Sequence, residues 1–176
     1  VYGGWAASGE IDIMEAVNLK TQSDESGAAP GKLESRIHGT LHYGKSWPDN
    51  VYSGASFTLP DYSNPADGFH TYAVEWQQGE IRFYMDDFHY ATQTQAGWYS
   101  QYLQDGNLIT GADDAPFNQS FHLILNLAIG GNWAGKVNDT GIDESIFPQA
   151  MLIDYVRVYQ CALDVTTGRG CEAVSE

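Results

Sequence analysis

Apolar and polar positions alternate in short runs along this chain, and no stretch of ordinary helix length repeats at a spacing of three to four residues. The runs fall at residues 11–16, 36–43, 70–76, 81–85, 89–92, 122–128 and 151–160, with Gly, Pro, Asn and Asp between them. Side chains two apart share one face of a strand, so this spacing predicts an all-β chain folded as an antiparallel β-sandwich. In IRFYMDDFHY, Asp86-Asp87 separates two aromatic-rich runs and predicts a tight hairpin turn. LILNLAIGG is nearly continuously apolar, broken only by Asn126, and reads as a central strand covered on both faces. A buried Asn126 needs a hydrogen-bond partner there. Residues 18–35 and 44–68 lack periodicity and are expected to be loops.

One run breaks the alternation. In SGEIDIMEAVN, residues 8–18, Glu10 and Asp12 share one face and Ile11 and Ile13 the other, but strict alternation sends Glu15 inward with the isoleucines. A charge buried there without a partner costs roughly several kcal/mol. Either the run is no strand, or one residue near Ile13 and Met14 bulges out and returns Glu15 to the face of Glu10.

Composition narrows the function classes. The chain has 176 residues, 43% hydrophobic and 13% aromatic, which is enough apolar material for one sizeable domain. It begins with Val, so the expectation is a piece of a longer precursor. No apolar run approaches the about 18 residues of a membrane span, and no signal peptide is read. With 23 acidic residues against 8 basic ones the net charge is −15, which argues against nucleic acid and membrane surfaces as partners. Cys161 and Cys171 lie near the C-terminus without His or Cys at metal-ligand spacing, which favours a local disulfide over two free thiols and hence a secreted, extracellular protein. Asn118-Gln-Ser and Asn138-Asp-Thr match the glycosylation triplet, which matters only in a eukaryotic secretory host.

Three carboxylates on one strand face admit several readings: a merely solvated face, a calcium cage, or an acid–base site. The spacing and the missing mid-loop glycine do not fit a helix-flanked calcium loop. Retaining glycoside hydrolysis needs two carboxyl groups about 5 Å apart, one to attack and one to protonate. With one residue absorbed by a bulge, Glu10 and Glu15 stand about 13 Å apart at Cα, a gap that two long side chains leaning inward narrow. Asp12 between them can bond the nucleophile and raise the pKa of the acid by like-charge repulsion.

GEIDIMEAVN, followed in order by GTLHYG, GFHTYAVEW, IRFYMDD, LILNLAIGGNW and FPQAMLIDYVRVYQ, resembles glycoside hydrolase family 16, most closely its bacterial endo-β-1,3-glucanases, or laminarinases. The extra residue within Glu-x-Asp-x-x-Glu is similar to that branch rather than to the lichenases. The resemblance implies a concanavalin-like jelly roll with a sugar-binding cleft on its concave face. It implies an endo-acting, retaining cleavage of β-1,3-glucan with Glu10 as nucleophile, Asp12 as assisting carboxylate and Glu15 as general acid/base. Trp5 and Trp133 match positions that hold sugar near the cleavage point, and aromatic faces suit the C–H faces of pyranose rings. His42 can hydrogen-bond a catalytic carboxylate or be structurally satisfied. Trp76 is expected to pack in the sandwich, and Trp47 and Trp98 to line outer subsites. Asp154 matches a ligand of a structural calcium; no cofactor is implied for catalysis.

The resemblance has gaps. In the family several strands precede the ladder, whereas nine residues do here, so the N-terminal strands are expected to come from another segment or a second chain. Residues 1–161 then form the C-terminal part of a catalytic sandwich, and 162–176 a tail tied by Cys161 and Cys171. Ala6 and Ala134 stand where the family often has proline, which should loosen the loops of both tryptophans. A neutral β-glucan suits the charge. Alternatives are a glucan-binding module without turnover, a transglycosylase, and a hydrolase of mixed-linkage β-glucan.

Overall fold

The computed structural model describes residues 1–23, 31–138 and 141–174. β1 (Glu10–Glu15), β2 (Arg36–Gly44) and β3 (Asn50–Thr58) form one antiparallel sheet in that order, and β4 (Tyr72–Gln77), β5 (Glu80–Met85) and β6 (Phe88–Thr94) form a second. The sheets pack face to face. Leu41 and Tyr43 of β2 and Ile81 and Phe83 of β5 are buried in one cluster with Trp98 and Phe117, joined by Ile11, Val74 and Tyr90. Ile37, Leu59 and Met85 form a second cluster, against which Met14 packs. The inward positions of neighbouring strands thus meet as the alternation requires.

The bulge lies where the charge pattern demands it. Glu10, Ile11 and Asp12 pair with His42, Leu41 and Thr40, but Glu15 pairs with His38, so Ile13 and Met14 together stand opposite Gly39. One extra residue in β1 rotates Glu15 back to the polar face while Met14 stays inside. Gly39 is itself required. A Cβ there would lie 2.5 Å from Phe83 Cδ1 of the facing sheet. The Asp86-Asp87 hairpin also forms as its sequence predicts, with Met85 paired to Phe88 and Asp86 at φ 50°.

Other expectations need correction. The expected loop at 44–68 contains β3, whose inward residues Ser53 and Ala55 are too small and polar to register as a strand. A two-stranded hairpin, β7 (Gln101–Gln104) and β8 (Asn107–Thr110), also escaped the reading. Residues 122–128 and 151–160 are not strands: they join no ladder, and Ile124, Leu152 and Val158 are 73%, 73% and 81% exposed. Their apolar character is that of sheet interior, but among the described residues nothing pairs with their edges. Asn126 is accordingly exposed, and the demand for a partner lapses.

Cys161 and Cys171 are joined in a disulfide. It closes a loop that Gln78 N–H, donating to Thr167 O at 2.7 Å, and Arg169 Nε–H, donating to Gln78 O at 3.0 Å, tie to the β4–β5 turn. No helix among the described residues is long and apolar enough to cross a membrane.

Candidate active site

The outward face of the first sheet carries the ladder. Register places His42, Thr40 and His38 of β2 beside Glu10, Asp12 and Glu15, and Tyr52, Gly54 and Ser56 of β3 beyond them. Trp5 Nε1–H donates to Glu10 Oε2. Thr40 Oγ1 donates to Glu15 Oε2 at 2.8 Å, and His42 Nε2 lies 3.3 Å from Asp12 Oδ2. The two outer carboxylates thereby each have a hydrogen-bond donor, while the buried Asp12 Oδ2 has the His42 ring beside it at ion-pair distance. One ligand atom each from Asp12, Glu15 and His42 lie within 4.8 Å of one another. By donor type those three could also share a divalent cation.

The half-buried setting shapes the protonation of the group. Burial raises the pKa of Glu15 above the ordinary 4.5, the Thr40 hydrogen bond opposes this, and the Asp12 charge adds to the rise. Glu10 is also raised, first by burial and then by Asp12, with the Trp5 N–H pulling the other way. His42 moves up from 6.5, chiefly through its hydrogen bond to Asp12 and against the effect of burial. Two carboxyls beside one central charge cannot both ionise cheaply, so a proton is held in the ladder at higher pH than for a free glutamate.

Aromatic rings flank the carboxylates at both ends. The Trp5 ring lies 5.5 Å from His42, which lies 5.7 Å from Tyr52. Trp133 stands edge-on to His38 at 5.0 Å, and His38 Nδ1 shares a 2.8 Å hydrogen bond with Ser56 Oγ. Both tryptophans keep partly open faces, 46% and 39% exposed. The Trp5 loop is held by Trp47 N–H donating to Trp5 O at 2.7 Å and by Ser8 Oγ donating to Gly3 O at 2.6 Å.

The structure thus gathers Trp5, Glu10, Asp12, Glu15, His42 and Trp133 on one face. It does not gather Asp154 with them: that residue is exposed in the unpaired segment 149–160, and no trio of His, Cys, Asp or Glu suited to a metal forms around it among the described residues. Trp98 corrects another expectation, because it is buried against Phe117 at 5.1 Å and lines no outer subsite. Trp47 is exposed, while Trp76 sits edge-on to Phe121 and donates its Nε1–H to Phe117 O at 3.0 Å. Neither glycosylation triplet offers a free amide: Asn138 is buried on Glu34, and Asn118 bonds Tyr2 and Asp114. His38 and Tyr52 were missed by sequence reasoning. For Tyr52 the missing signal is β3 itself; for His38 it was present, two residues before Thr40 on a strand already read.

Residues 5–143 match the model of the family described as Glycosyl hydrolases family 16. The chain is 38% identical over 160 residues to "Glucan endo-1,3-beta-glucosidase A1" of Niallia circulans, covering 91% of this chain and 20% of that protein. It is 36% identical over 140 residues to "Beta-1,3-glucan-binding protein" of Penaeus monodon, covering 74% of this chain and 35% of that one. The solved laminarinase from Rhodothermus marinus superposes with a TM-score of 0.56 at 31% identity, over 84% of this chain and 50% of the laminarinase. The chain therefore spans half or less of the length of these relatives.

Proposed function

Because the chain belongs to glycosyl hydrolases family 16, we propose that it carries the catalytic face of a retaining, endo-acting β-1,3-glucanase. The observation that carries this reading is the bulge, which sets Glu10, Asp12 and Glu15 on one face between the rings of Trp5 and Trp133. In the first step a Glu10 oxygen attacks the anomeric carbon, the glycosidic C–O bond breaks, and the Glu15 proton passes to the leaving oxygen. In the second, Glu15 takes a proton from water, the water oxygen attacks the same carbon, and Glu10 leaves as a carboxylate. Two inversions give net retention.

Each neighbour has a part in that sequence. The Trp5 N–H orients the attacking carboxylate and favours its charged form, as does the charge of a protonated His42. Asp12 and the half-buried setting keep a proton on Glu15 until the leaving oxygen needs it. Trp5 and Trp133 offer flat faces to consecutive sugar rings. A neutral glucan fits a chain of net charge −15, and the Cys161–Cys171 disulfide supports action outside the cell.

A second reading, glucan binding without turnover, is favoured by the name of the Penaeus monodon relative. Reducing-end release from a linear β-1,3-glucan separates the two, with Glu10→Gln as control. We expect turnover in the parent chain and a loss of about 10³-fold or more in the variant. Glucan binding with no turnover in either protein would favour the binding module. Equal turnover in both would remove Glu10 from the reaction.

A further inference from the structure

Trp133 sits on a loop, and a platform is useful only if its loop is held still. Within the loop, Gly135 N–H donates to Gly131 O at 3.0 Å, Lys136 N–H to Trp133 O at 2.9 Å and Gly141 N–H to Gly135 O at 3.3 Å, bonds that shape the turn but reach no strand. The outside tie comes from Asn18, three residues beyond Glu15. Its single Nδ2 amide group donates to Ala134 O at 2.7 Å and to Val137 O at 2.5 Å. Both carbonyls lie within four residues of Trp133. The backbone at Asn18 is left-handed, φ 51°, a conformation asparagine tolerates better than most residues. Asn18 also closes the turn that follows β1, since Thr21 N–H and Thr21 Oγ1–H donate to its carbonyl at 3.0 and 2.9 Å.

A second anchor secures the far end of the same loop. Asn138 Nδ2 donates to Glu34 Oε2 at 2.9 Å, and Glu34 accepts from Arg36 Nε at 2.8 Å and Arg36 Nη2 at 2.5 Å. Burial pushes the Glu34 carboxyl up, but the Arg36 and Asn138 hydrogen bonds outweigh it and hold the pKa at about 2. It is thus a permanent anion at neutral pH. Arg36 opens β2, two residues before His38, on whose ring Trp133 rests. The loop is therefore pinned to the turn that follows β1 and to the residues that lead into β2.

We propose that Asn18 is a positioning residue that fixes the Trp133 platform relative to Glu15, with Asn138 on Glu34 as the second clasp. This rests on the reading of the face as a glucan site. Asn18 touches no reacting atom in this scheme; it acts through where the indole stands. The loss expected on removing it is one of sugar affinity rather than of bond-breaking rate.

Asn18→Gly tests this with least disturbance, because glycine keeps the left-handed backbone and deletes only the amide. The probe is a linear β-1,3-linked glucose hexasaccharide, followed by tryptophan fluorescence and by KM and kcat on the polymer. Losing two hydrogen bonds that preorder a platform should weaken binding and raise KM about five- to tenfold, with kcat within about twofold. Against Trp133→Ala the double variant should lose no more than Trp133→Ala alone, whereas with Trp5→Ala the losses should multiply. Asn18→Asp, which keeps the shape and lacks the donors, repeats the test if the glycine variant folds poorly. An unchanged KM and affinity, or losses that multiply with Trp133→Ala, would overturn the inference. A parent chain that binds no hexasaccharide would instead count against the glucan site itself.

Discussion

Glu15 is asked for two opposed things: to fold beside Asp12 and to hold a proton there. Its pKa is raised above 4.5, first by burial and also by the Asp12 charge, so the folded chain binds that proton more tightly than the unfolded one. The contribution to stability is therefore fully present below about 4.5 and is lost as pH rises through the folded value. Glu15→Gln removes the charge and keeps an oxygen for Thr40 Oγ1. It should abolish hydrolysis while raising Tm at pH 7, with the gain shrinking toward zero as the pH falls below the ordinary glutamate range. Thermal unfolding at several pH values checks this, and a lower Tm at pH 7 would contradict the assignment of strain to that charge. At this scale the sequence was most legible where a charge sat out of place. Glu10, Asp12 and Glu15 announced themselves by breaking an apolar run, and Trp5 and Trp133 followed from the resemblance. Asn18 and Glu34 did not, because an asparagine or glutamate in a polar loop carries no local mark of the distant carbonyl or amide it will meet.

At the scale of elements, the strands with large alternating side chains were readable and those with small ones were not. β1, β2, β4, β5 and β6 all fall on predicted runs. β3 escaped because Ser53, Gly54, Ala55 and Ser56 give almost no contrast between faces, although Phe57 at its end stacks on Phe88 at 5.1 Å. The β7–β8 turn at Asp105-Gly106 has an ordinary hairpin signature, with φ 52° and 80°, and was readable in principle. Opposite the bulge, Gly39 leaves room for Phe83 and Tyr90 beneath the ladder. Gly39→Ala should cost about 1–3 kcal/mol by overpacking. Urea unfolding measures it. The same variant should lower activity further than stability alone accounts for, since the added methyl pushes on the strand pair that sets the carboxylates.

For the whole molecule, the sandwich has a covered half and an open one. Leu123, Leu125, Leu127 and Ile129 are 56%, 58%, 54% and 63% exposed, with Met151, Ile153 and Tyr155 on the other unpaired segment at 45%, 48% and 47%. Apolar patches of this kind seek partners. The chain alone should bind a dye that reports apolar surface and self-associate as its concentration rises, as read by fluorescence and light scattering. A dye-silent monomer at every concentration would mean that these segments fold back in solution. The two runs were misread as strands because a sequence shows which residues want to be interior without showing what covers them. The bulge has a different kind of reach. An extra residue absorbed between two register-matched pairs leaves the chain before and after it threaded as before, so deleting one codon at that point would keep the two outer carboxylates opposite His42 and His38 and remove only the local kink between them. Along this stretch, a change of length alters the local twist under Glu15 and leaves its place on the ladder intact.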